Sequence, residues 1–166
     1  WERIAALPGV EGASVDVELP IFSYSGPVWF EVQGREPAPV GRRPLVVKNP
    51  VSPEFFDVTG IALRQGRIVA EADRLGSPPV FVINETMARA VFPRGDAVGQ
   101  RIRIAGQPEG EWGEIVGVVG NVRFLNVGSE PTRFQLYRPL SQETWGYVSV
   151  TARASTPQIA MSSRLA

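Results

Sequence analysis

The chain has 166 residues, 43% hydrophobic and 20% charged, with zero net charge, no Cys and no His. That length supports one compact domain, or two small lobes sharing a chain, each with a real core. Zero net charge supplies no general attraction to nucleic acid or anionic membrane, and the missing Cys and His exclude thiol catalysis, a Ser-His-Asp triad and the usual zinc sites.

The elements follow in chain order. "WERIAALPGV" opens with Trp1, Ile4 and Ala5 on what reads as the apolar side of a last helical turn or two. "VWFEVQG" alternates Val28, Phe30 and Val32 with Trp29, Glu31 and Gln33, as a strand with two unlike faces does. "GREPAPVGRRP" (Gly34 to Pro44) reads as an extended, exposed linker, and "PLVVKN" as a buried strand. Lys48 in that run is the chain's one lysine against sixteen arginines, a bias that a GC-rich genome explains.

"VSPEFFDVTGIALRQGR" carries two glycines and a basic end, which invites a phosphate-loop reading. The order is wrong for one, because a phosphate loop puts its glycines between a strand and the start of a helix. Here a short helix comes first, with Ser52 expected as its N-cap, Pro53 at its first position and Gly60 ending it. A short strand "IALRQ" and a turn at Gly66 follow. The stretch reads as scaffolding.

"PPVFVIN" reads as a buried strand running into the clearest helix, "NETMARAVFP". Asn84 is its N-cap, Pro93 its stop, and Met87, Ala88, Val91 and Phe92 its inward face. "RIRI" places Ile102 and Ile104 on one strand face and Arg101 and Arg103 on the other. "GEIVGVVGNV", apolar on both faces, is the expected central strand. "YVSVTAR" alternates with Val148, Val150 and Ala152 on one side, and "STPQIAMSSRLA" begins a last helix with Thr156 as N-cap and Pro157 following. Both ends read as cut from something longer, and the longest apolar run, Ile115 to Gly120, is far short of a membrane span.

Candidate sites are few. Glu71 with Asp73, and Glu109, Glu111 and Glu114 around Trp112, are the only carboxylate clusters. The second could serve a carboxylate hydrolase, or border a sugar site beside Trp112. Solvated loop acids are the plainer reading. Arg42 and Arg43 form the densest basic spot, without the aromatic interleaving of a nucleic-acid surface. Asp73, Asn84 and Asp96 lack the spacing of a calcium loop. No residue is assigned a catalytic, cofactor-binding or metal-ligating role, and no cofactor is expected.

Strands interrupted by a few short helices without regular alternation indicate an α+β fold. Taken as an ordered set, "VSPEFFDVTGIALRQGR", Asp73, "VFVINETMARAVFP", "DAVGQRIRI", "EIVGVVGNVR" and "LYRPL" resemble the extracytoplasmic core domain of MacB/FtsX-type ABC transporter permeases, closest to the large acidobacterial-type permeases. The likeness spans roughly Val46 to Leu140. An aromatic near the position of Val69, and an Asp at that of Asn121, are family features that this chain lacks.

The resemblance implies a two-lobed α+β domain with mixed and antiparallel sheets. Residues 1–50 with 130–166 would form a porter-like lobe and 51–129 an inserted second lobe. It implies a non-enzymatic module on the periplasmic side of the bacterial inner membrane, coupling cytoplasmic ATP hydrolysis to movement outside, for efflux or for action on periplasmic partners. The implied partners are a cytoplasmic ATP-binding cassette, a second permease copy and a periplasmic adaptor or substrate protein, with no nucleic acid. The alternative is a free-standing extracytoplasmic sugar- or peptide-binding module, with a pocket near Trp112 or Trp145.

Overall fold

A computed structural model describes residues 1–17, 27–104, 112–122 and 134–155. In order they form α1 (Glu2–Ala5), β1 (Val10–Asp16), β2 (Val28–Val32), β3 (Leu45–Val51), α2 (Phe55–Thr59), β4 (Leu63–Gly66), β5 (Val80–Asn84), α3 (Glu85–Val91), β6 (Arg101–Ile104), β7 (Gly113–Val119), β8 (Gln135–Pro139) and β9 (Ser149–Ala154). A single 3-10 turn, Leu140–Gln142, follows β8. The fold is mixed α+β, dominated by strands, as the element order predicts. The last helix expected from Thr156 onward, like Glu109 and Glu111, lies outside the described residues.

The strands pair in the order β2-β6-β7-β5-β8-β3-β1-β9, with β4 added beside β7. β2 also pairs with β3, Val28 opposite Val46 and Trp29 opposite Leu45. The six strands β2, β6, β7, β5, β8 and β3 therefore close into a ring, with parallel pairs β5–β7 and β3–β8 among antiparallel ones. Closure gives a strand an inside and an outside, and residues alternate between them.

That alternation explains the runs that are apolar on both faces. Along β5, Phe81 and Ile83 belong to one core, and Val80 and Val82 to another. β7 divides Ile115 and Val118 from Val116 and Val119, a bulge in its pairing with β5 between Ile115 and Gly117 shifting the alternation by one, and β8 divides Leu136 from Tyr137. The inner core also holds Phe30, Val32, Val46, Ile102 and Ile104, and Met87 of α3 and Phe92, just past its end, join it. The outer core is covered by Phe55 and Phe56 of α2, both ringed against Tyr137, and by Val69. Each such aromatic, fully buried, contributes about 1.5–3 kcal/mol.

The helix signals hold in two of three places. Asn84 caps α3, its Oδ1 accepting from Met87 N–H at 3.1 Å, and Phe92 is the last residue before Pro93. Gly60 ends α2 in the left-handed region at φ 72°. Ser52, however, does not cap α2, whose N-cap is Glu54. The Ser52 hydroxyl accepts instead from Val15 N–H at 3.0 Å, tying β1 to the end of β3.

β9 also departs from expectation. Its apolar side, Val148 and Val150, is exposed at 50% and 40%, whereas Ser149 and Thr151 are more covered. The covered side is turned toward β1 polar groups. Thr151 Oγ1 donates to the buried Asp16 carboxylate at 2.8 Å, and Arg153 donates to the Asp57 carbonyl of α2. A polar clasp at this interface outweighs the apolar alternation.

Candidate functional site

Three polar clusters hold the ring's elements to one another. The first lies on the outer face where β5 and β8 meet α3. Asn84 is fully buried. Its Oδ1 accepts from Gln135 N–H at 3.2 Å as well as from Met87, and its amide nitrogen donates to Gln135 Oε1 at 3.4 Å. Gln135 in turn donates to the Val122 carbonyl and accepts from the Tyr137 hydroxyl at 3.2 Å. Burial pushes the Tyr137 phenol's pKa well up, so it acts as a neutral donor. Asn121 adds a second cap, its Oδ1 accepting from both the N–H and the hydroxyl of Thr86.

The second cluster shares the inner face. Lys48 falls on the same side of β3 as Val46, and Arg138 on the same side of β8 as Leu136. Lys48 is only 8% exposed, and its Nζ donates to Glu143 Oε1 at 2.6 Å. Arg138 stands 3.9 Å from the other Glu143 oxygen, and its guanidinium lies 5.9 Å from the Phe81 ring centre. Lys48 also lies against Trp145, with Nζ 5.0 Å from the ring centroid.

The third cluster staples the segment between β4 and β5. Arg67 makes a two-toothed pair with Asp73, at 2.6 and 2.9 Å, and Ala70 N–H donates to the same carboxylate at 2.9 Å. Desolvation works against the Asp73 anion, yet the Arg67 and Ala70 hydrogen bonds and the Arg67 charge hold its pKa below the usual carboxylate value. Ser141 Oγ donates to the Asp73 carbonyl, and Gln142 reaches Ser77, Pro78 and Val80 N–H.

Asp73→Asn should therefore lose about 1–3 kcal/mol in urea denaturation at pH 7. Because the folded-state pKa is depressed, the carboxylate's stabilisation is present above about pH 4 and fades as pH falls through the lowered value. The gap between wild type and Asp73→Asn should narrow in the acid range. An unchanged gap at acid pH would contradict the assignment.

The residues singled out from sequence are not gathered into one cleft. Glu71 is exposed while Asp73 is buried and paired. Glu114 is exposed on β7. Arg103 lies over the Trp112 ring at 4.8 Å and bonds Glu31, its cross-strand neighbour. Trp112 and Trp145 thus each have a cation against the ring, which disfavours the sugar-site reading. Arg43 stacks on Trp29 at 3.9 Å, while Arg42 is exposed. Of the three calcium candidates, Asp73 pairs with Arg67, Asn84 is the buried cap and Asp96 pairs with Arg94. Among the described residues no group of acids, Cys and His could hold a metal. The Lys48–Glu143 pair was not anticipated, although a sole lysine inside an apolar strand run was the available signal.

Comparison with known proteins supplies the context for this scaffold. The family model described as MacB-like periplasmic core domain matches residues 1–164. The macrolide export ATP-binding/permease protein MacB of Aggregatibacter actinomycetemcomitans is 29% identical over 92 residues. That stretch is 55% of this chain and 13% of that protein. Among solved structures, the periplasmic region of MacB from Actinobacillus actinomycetemcomitans superposes with a TM-score of 0.66 at 17% identity, over 99% of this chain and 68% of that one. The extracellular domain of the noncanonic ABC-type transporter YknZ from Gram-positive bacteria gives 0.62 at 14% identity, over 97% and 74%.

Proposed function

This chain belongs to the MacB-like periplasmic core domain family, and from that premise we propose that it is the motion-transmitting extracytoplasmic module of an ABC transporter permease. ATP hydrolysed by a cytoplasmic cassette moves the membrane helices. This domain carries the displacement outward, for efflux or for action on a periplasmic partner, and performs no chemistry itself. Two lobes, 1–50 with 130–166 and 51–129, are part of this reading, with the ring as their junction.

The observation that carries the reading is ring closure. β2, β3 and β8 come from the outer segments and β5, β6 and β7 from the middle one, and each is hydrogen-bonded into the same ring. A displacement of one segment cannot be absorbed without breaking ladder bonds, which suits a lever. The three polar clusters reinforce those joints without forming a cleft.

Spin labels test this in the intact permease carrying its cassette. Val40 and Leu75 are 86% and 81% exposed and accept labels as cysteines. The distance between Val40→Cys sites in two permease copies should change between nucleotide-free and ATP-trapped states. The distance from Val40→Cys to Leu75→Cys within one copy should stay fixed. An inter-copy distance indifferent to nucleotide would overturn the proposal.

A further inference from the structure

The segment from Leu140 to Val148 links β8 of the ring to β9 and is fastened along only part of its length. Ser141 and Gln142 are bonded to the 73–80 segment. Glu143 and Trp145 engage Lys48 and Arg138 on the ring's inner face. Gly146 follows, with nothing within 4 Å of where a Cβ would stand, and then the exposed Tyr147 and Val148. β9 begins beyond them and pairs with β1, which meets β3 at one register position, Asp16 opposite Val51. The strap is thus a covalent tie between the ring and the β1–β9 pair, beside the bonds of β1 to Pro50 and Ser52 and of Arg153 to Asp57.

We propose that the Lys48–Glu143 ion pair is a releasable clasp, which holds this strap on the ring and opens when β9 is displaced. The inference rests on the lever reading above and names one of its moving parts.

Its chemistry favours release over permanence. A buried ion pair gains little net stability over its hydrated partners, because each charge recovers its water on opening. The cluster is also incompletely satisfied. Arg138 Nε, Glu143 Oε2 and Trp145 Nε1 are buried and have no hydrogen-bond partner among the described residues. Opening hydrates all three and so offsets the loss of the 2.6 Å bond. An apolar plug would carry no such compensation. Gln142, with its three bonds to Ser77, Pro78 and Val80, marks where the opening stops, and Gly146 sits where the strap can bend.

The test uses the intact permease with cysteines at Thr144, exposed on the strap, and Glu114, exposed on β7. The label-to-label distance should be short and single-valued without nucleotide, and should lengthen by roughly 5 Å, the scale of a one-turn ratchet, in the ATP-trapped state. Lys48→Met should populate the long distance without nucleotide. Lys48→Arg, which keeps a cation beside Glu143 and leaves the Arg138 contact intact, should retain the short one, which guards against a variant that simply misfolds. A distance that ignores both nucleotide and Lys48→Met, while the inter-copy Val40 distance still moves, overturns the clasp and leaves the lever standing. If neither distance moves, the lever reading fails and the clasp with it.

Discussion

Gly117→Ala is expected to cost about 4 kcal/mol or more of folding stability. A Cβ built on Gly117 would stand 2.0 Å from the Arg67 carbonyl oxygen, and one built on Gly66 would stand 2.1 Å from the Val116 carbonyl oxygen. Both collisions are with backbone, so no side-chain rotation relieves them. Gly66 and Gly117 are opposed in the β4–β7 register, and Arg67 N–H donates to Val116 O at 2.9 Å across the same contact. Separating the strands to admit a methyl group breaks that bond and lifts the 61–69 segment off the outer core, where Val69 lies. The expected loss is about 4 kcal/mol or more, a large share of a small domain's stability.

Gly66→Ala should be worse still, since it adds a strained φ of 69° to the same collision. Gly60→Ala separates the two effects. Its φ is 72°, yet nothing lies within 4 Å of its Cβ, so only the backbone strain of roughly 1–2 kcal/mol applies. Urea midpoints for the three variants decide the matter. Gly117→Ala losing no more than Gly60→Ala would show that the close crossing is not what holds β4 to the sheet.

This crossing also marks where sequence reasoning stops. The strand within "IALRQ" was legible from local pattern, as were the two-faced β2 and the buried β5, because period and composition are properties of a single segment. The turn expected at Gly66 is instead the last paired residue of β4. Gly117 lies inside an apolar run, and its opposition to Gly66, fifty-one positions earlier, has no local signature. Ring closure is hidden for the same reason. Val28 pairs with Val46 only because a Gly/Pro-rich loop brings β2 back beside β3. Where competing local signals existed, tertiary contacts decided between them: Ser52 had the chemistry of an N-cap, but Val15 N–H takes its hydroxyl. The clusters of the candidate site follow this pattern. Asn84 was legible as a cap and illegible as a bridge, and Lys48 stood out by composition while its partner lay ninety-five residues away.

Asn84→Ala tests the bridge directly, and should cost about 2–4 kcal/mol. Loss of a cap alone accounts for about 1 kcal/mol. The remainder comes from partners left behind: Gln135 N–H loses its acceptor at 3.2 Å, and Gln135 Oε1 loses a donor, both in buried surroundings. Thr86→Ala serves as the comparison. It removes one hydroxyl bond to Asn121, while the Thr86 N–H keeps its own, so the change should stay below about 1 kcal/mol. Amide hydrogen exchange then distinguishes cap from bridge. If Asn84 only starts α3, protection should fall at Met87 and its helical neighbours alone. If it joins the helix to the ring, Gln135 on β8, fifty-one residues away, should lose protection in parallel. Since Gln135 opposes Val47 of β3, such a loss would reach the same joint that a lever needs intact, and exchange confined to α3 would remove this cluster from the transmission path.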